Sequence, residues 1–131
     1  MPLKFINPES LGAPSGFSHG VVVDSSKLLF VAGQIATDGQ QKIVSADFVD
    51  QFDCALTNLI SVVEAAGGSA QQIARLIIYV TDKQEYRRRK REVGERYRAR
   101  MGKHFPAMVL VEVKGLLDDE ALVEIEGVAA L

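Results

Sequence analysis

Glu124 and Glu126 stand two residues apart in the run Leu122 to Ala129, a spacing that points both carboxylates to one face of a strand. A carboxylate so placed and partly buried can hold a water as a general base. On composition alone the pair reads more readily as the ordinary polar outer face of an edge strand. Cys54 is the single cysteine, and His19 and His104 are the two histidines that could serve it as a base. Helical spacing puts Cys54 with Asp47, Asp50 and Ser61, away from the apolar stripe, so it reads as a surface thiol rather than a nucleophile. Two histidines and one cysteine make no zinc cluster. Gly33 and Gly67-Gly68 form neither GxxxxGKS nor GxGxxG, so nothing supports ATP or NAD binding.

Arg87, Arg88, Arg89, Lys90, Arg91, Arg96, Arg98 and Arg100 crowd one segment. Such a run could neutralise phosphates. Glu92 and Glu95, however, lie at helical spacing from Arg88, Arg91 and Arg96, which builds a solvated face laced with ion pairs. The formal net charge of -2 gives no overall pull toward nucleic acid or an anionic membrane.

These residues need a scaffold. A chain of 131 residues, 47% hydrophobic and 24% charged, is globular in composition, and residues 1–131 read as one domain. At this length roughly two-thirds of the unfolded chain's surface is buried, enough to fold without a disulfide or metal. Met1 to Pro8 holds no apolar stretch of signal-peptide length, and nothing approaches the roughly 20 apolar residues of a membrane span. A cytoplasmic location is expected.

Asn7 to Gly16 is a loop after a short first strand, followed by strands over Phe17 to Val23 and Lys27 to Ala32. Gly33 ends the second where a side chain has to be absent. Asp47 to Ala66 is a helix with one broad apolar face, Ser45 its N-cap and Gly67-Gly68 its stop. Ser69 caps a short turn before a buried strand at Leu76 to Val80. Asp82 starts a second helix running to Met101, with Gly94 inside it compensated by close backbone packing. Strands at Ala107 to Val113 and Leu122 to Ala129 close the chain. Helices joining strands imply crossovers, with two helices covering one face of the sheet.

Ser15-Gly16-Phe17-Ser18-His19-Gly20, Val31-Ala32-Gly33-Gln34-Ile35, Val63 to Gly68, Phe105 to Met108 with Val111 to Val113, and Val123 to Ala129 follow one another in a recognisable order. The ordered set resembles the reactive intermediate deaminases, also called the YjgF-like family, over almost the whole chain. The resemblance implies a chorismate-mutase-like α+β fold with a six-stranded mixed sheet and two helices on one face. It also implies a homotrimer, with a small-molecule ligand in clefts between subunits. The implied chemistry is cofactor-free hydrolysis of enamines and imines such as 2-aminoacrylate to 2-keto acids and ammonia.

On this resemblance Glu124 matches the water-positioning glutamate and Gly33 the glycine of the SGQ-type motif. Where the family places an arginine that clamps the substrate carboxylate, this chain has Met108. Val109 and Leu110 follow where hydroxyl or thiol side chains are common, Phe17 replaces a cleft tyrosine, and Arg91 falls where many members have asparagine. Methionine cannot offset the desolvation of a carboxylate, so a 2-imino acid needs another cation. Two expectations follow: a hydrolase using Glu124, with Phe17, Gly33, Arg91, Met108, Val109 and Leu110 at the ligand, or a non-catalytic ligand- or partner-binding trimer on the same scaffold.

Overall fold

The computed structural model describes residues 3–131, so the span expected for one domain includes two positions outside the described residues. Strands β1 (Leu3–Ile6) and β2 (Gly20–Val23) pair antiparallel as a small sheet of their own. Strands β3 (Leu28–Gln34), β4 (Ile73–Val80), β5 (Ala107–Glu112) and β6 (Val123–Ala130) form a mixed sheet in the order β3-β6-β4-β5. The six strands expected as one sheet are thus divided two and four. The small sheet reaches the large one through Leu3, Ala74 and Ala130, with Val21 and Val23 packed beside them. The overall class, α+β with a mixed sheet, stands.

The one parallel pairing is β4 with β5, which a hairpin cannot make. Helices α2 (Lys83–Arg88) and α3 (Lys90–Met101) supply the crossover. They differ from the single helix expected over this stretch: the ladder breaks at Arg89, whose ψ of 17° leaves the helical region. Helix α1 (Phe48–Ala65) covers the sheet beside α3. Its buried Phe52, Leu56, Leu59 and Val63 join Val93, Tyr97 and Met101 of α3 and Leu76, Ile78 and Ile125 of the sheet in one core.

The N-cap of α1 is Asp47, not Ser45. The Asp47 carboxylate accepts from the Asp50 N–H at 3.0 Å, while the Ser45 hydroxyl accepts from the Asp47 N–H and donates to the Asp50 carboxylate. Asp82 caps α2 as its position suggests, accepting from the N–H groups of Gln84 and Glu85. Gln72 closes the short turn after Ser69 by accepting from the Ser69 N–H at 2.9 Å. Gly94 does not make room for backbone; the Arg98 guanidinium lies against it, 3.1 Å from where a Cβ would sit.

The basic segment is laced with ion pairs, but many partners lie on α1. Arg96 reaches Asp50 and Asp53, Arg100 reaches Asp53, and Arg89 reaches Asp47 as well as Glu85 and Glu92. Arg89 holds the Asp47 and Glu92 carboxyls below the usual carboxylate range. At Asp53 burial pushes the carboxyl up, but hydrogen bonds from Arg100 and Arg96 outweigh it, and the net shift is downward.

His104 is buried, with Nε2 2.7 Å from the Ile73 carbonyl oxygen. Burial pushes its imidazole below the usual range, and the bond to Ile73 offsets this only in part. The unfolded chain therefore takes up the His104 proton first, and stability falls as pH drops below about 6.5. The paired carboxylates contribute fully above about pH 4, and that contribution is lost as pH falls through their depressed folded values. Chemical denaturation midpoints should decline in two stages with acidification. In His104→Gln the upper stage should vanish while the lower one stays.

Candidate functional site

Strand β6 presents Val123, Ile125 and Gly127 to the helices and turns Glu124, Glu126 and Val128 to the opposite face. The two glutamates part company there. Tyr79 donates its hydroxyl to the Glu126 carboxylate, a structural role. Glu124 instead packs against Gly33. The β3–β6 register shifts between Val31 and Gln34, and at this irregularity a Cβ on Gly33 would lie 2.1 Å from Glu124 Oε2 and 2.8 Å from its Cδ. No side chain fits. The glycine that ends the apolar run of β3 is the wall against which the carboxylate rests.

A residue that sequence reasoning missed holds the approach to β6. Gln51 is fully buried on α1; its amide nitrogen donates to the carbonyls of Ser45 and Glu120 at 2.8 and 3.0 Å, and its oxygen accepts from the Leu122 N–H at 2.8 Å. The loop leading to Glu124 is thereby fixed to the helix. A glutamine between Asp50 and Phe52 carries no pattern that announces this.

Phe17, Met108, Val109 and Leu110 come together in a cleft of about 690 Å³ between β5, the helices and the loop before β2. Ser18 places Phe17 there: its hydroxyl donates to the Phe105 carbonyl at 2.6 Å, and its N–H donates to the Pro106 carbonyl at 3.0 Å. Tyr97 stacks on Phe105 with centroids 5.5 Å apart and donates its hydroxyl to the His104 carbonyl at 2.6 Å. The floor is apolar and anchored.

Arg91 is not part of this cleft. Its side chain is 93% exposed and lies 3.6 Å from Glu95. Lys90 and Arg98, read from the sequence only as members of the solvated basic run, line the cleft instead. Nor does one chain unite the two halves. Met108 pairs in register with Leu76, whose side chain enters the core, whereas Glu124 pairs with Tyr79 on the other face. Met108 and Leu110 therefore face the helices and the Gly33–Glu124 pair the other side, while Val109, paired with Ile77, lies on that other side at the rim of edge strand β5.

Cys54 is half-buried rather than at the surface, with Sγ 3.7 Å from the Thr37 carbonyl oxygen. Burial, and then the Asp53 charge, push its thiol up, away from the thiolate a nucleophile needs. Among the described residues no group of three His, Cys, Asp or Glu side chains could hold a metal ion, and no helix is long and apolar enough to cross a membrane.

Comparison with known proteins places these features. The family model described as Endoribonuclease L-PSP matches residues 8–131. A RutC family protein of Pyrococcus horikoshii is 34% identical over 127 residues, covering 96% of each chain. TdcF of Escherichia coli, named as a candidate reactive intermediate deaminase, is 31% identical over 121 residues, covering 90% of this chain and 88% of its own. The crystal structure of a Rid-family protein of unknown function from Yersinia pestis superposes with a TM-score of 0.90 at 31% identity, covering both chains fully.

Proposed function

Because the chain belongs to the RidA/YjgF-like family, we propose that it is a cytoplasmic enamine or imine hydrolase of that family's kind, acting on a small reactive metabolite. The observation that carries this reading is the Gly33–Glu124 pair: a carboxylate lodged where β3 has no side chain. Glu124 takes a proton from water as the oxygen adds to the imine carbon. Glu124 passes that proton to the nitrogen, giving a carbinolamine; as its C–N bond breaks the hydroxyl proton is also transferred to the nitrogen, so ammonia leaves and a carbonyl compound remains. This is acid–base chemistry and calls for no cofactor. The name carried by TdcF supports the same class of reaction.

The ligand would lie between copies of the chain. Phe17, Met108, Val109 and Leu110 shape one wall, and Glu124 with Gly33 comes from the neighbour. A homotrimer is the assembly proposed, joined through the sheet face that the helices leave bare. Most arginines of α2 and α3 are neutralised by ion pairs, so no nucleic-acid partner is proposed, nor a membrane.

One observation favours a second reading. Met108 leaves the cleft beside β5 without the family's carboxylate clamp, which suits a non-catalytic ligand- or partner-binding trimer. Ammonia and keto-acid release from enzymatically generated 2-aminoacrylate separates the two. The hydrolase reading expects acceleration by wild type. No acceleration by wild type with clear acceleration by Met108→Arg would favour the binding role.

A further inference from the structure

The cleft beside β5 carries two charged side chains, Lys90 and Arg98, and both are cationic. Beneath them lie Phe17, Ile78, Tyr86, Tyr97, Phe105 and Met108. No acidic side chain lines the cleft. Among the described residues neither Lys90 nor Arg98 pairs with a carboxylate, although Arg88, Arg89, Arg91, Arg96 and Arg100 of the same segment all do. Two of the segment's three cations without a carboxylate partner thus stand where the apolar surface is concave, Arg87 being the third.

Their spacing makes one grip of them. Lys90, Gly94 and Arg98 fall four residues apart on α3 and share one face of the helix. Gly94, also lining the cleft, leaves the wall between the two cations without a side chain, and the Arg98 guanidinium lies against it. A cavity of about 690 Å³ falls within the ~300–1,000 Å³ of small-molecule sites and is roomy for a three-carbon acid. Aromatic floor and cationic rim together match a ligand with an apolar body and a single anionic head.

We propose that the cleft binds amphipathic monocarboxylates, with an aromatic or aliphatic body on Phe17, Tyr97 and Met108 and the carboxylate held by Lys90 and Arg98. Methionine at position 108 is then part of the floor, and the anion is gripped from α3 instead of from β5. The proposal rests on the reading that this cleft receives the small ligand, but not on any turnover of it.

The test is isothermal titration calorimetry on the full chain with 3-phenylpropanoate and its neutral isostere 3-phenylpropanamide. The carboxylate should bind at least about fivefold tighter than the amide, the range of a partly solvated ion pair. Arg98→Gln and Lys90→Gln, both at exposed positions, should each weaken the carboxylate by up to about fivefold and leave the amide unchanged. Equal affinity for acid and amide, no loss in either variant, or no binding of the acid at millimolar concentration overturns the proposal. So does an affinity that falls as protein concentration rises, the mark of a second copy competing for the cleft. Ammonia release is not read in this experiment, so failure of the hydrolase reading leaves its result standing, and the converse holds.

Discussion

Gly33→Ala should lose turnover about as completely as Glu124→Ala, with little change in thermal stability. The added Cβ would lie 2.1 Å from Glu124 Oε2 and 2.8 Å from Cδ, separations that no real contact shows. Something must move. Gly33 is exposed, and Glu124 sits on the bare face of the sheet, so the carboxylate can swing away without disturbing the core. A positioned general base is worth about 10²–10⁴-fold in rate, and a carboxylate displaced from its water forfeits most of that. Gly127 is the contrasting case. Its Cβ would meet the Arg75 carbonyl oxygen at 2.7 Å and the Leu76 side chain at 3.1 Å in the buried centre of the sheet. Backbone cannot swing aside, so Gly127→Ala should cost about 1–3 kcal/mol of stability. Steady-state kinetics on an enzymatically generated enamine, run beside thermal melts, reads both effects. Wild-type turnover in Gly33→Ala, or a melting temperature reduced as far as in Gly127→Ala, would sink the assignment of Gly33 as the seat of Glu124.

Much of this was legible in sequence because it depends on local rules. The two-residue period of β6 put Glu124 and Glu126 on one face, and a glycine ending an apolar run marked a missing side chain. The apolar stripe of α1 identified the helix that buries Phe52, Leu56 and Leu59. What sequence hid is what depends on distant partners. Tyr79, from another strand, distinguishes Glu126 from Glu124. Asp47, Asp50 and Asp53 on α1 answer arginines more than forty positions away, so the pairing read within one helix was incomplete. Arg89 interrupts the second helix with neither glycine nor proline to announce it. Ser45 and Asp47 both carry capping chemistry, and the α1 cap falls to Asp47. The same long-range logic moved the cationic element of the cleft from Arg91 to Lys90 and Arg98, since facing inward depends on how α3 sits on the sheet.

Phe30→Glu should convert the proposed trimer into a monomer and abolish the proposed turnover together. The helices cover one face of the four-stranded sheet and leave the other bare. Phe30 is 74% exposed there, and Leu28, Val109 and Val111 on the two edge strands are exposed with it. Large apolar side chains exposed at both edges of one sheet face, with Arg75 and Glu126 between them, suit an interface of mixed apolar and polar character. Burying a lone carboxylate there costs about 3–5 kcal/mol per interface, enough to dissociate the assembly at micromolar concentration. Activity should follow, because Met108 faces the helices and Glu124 faces away from them. In the proposed assembly a neighbouring copy brings its Glu124 to the cleft lined by Phe17 and Leu110. Sedimentation velocity should give wild type about three times the 14.3 kDa of the chain and Phe30→Glu about one. Leu117→Glu, at a fully exposed position in the loop before β6, should leave the assembly unchanged. Turnover by a stable monomer would show that a single copy suffices, and the divided site would have to be abandoned.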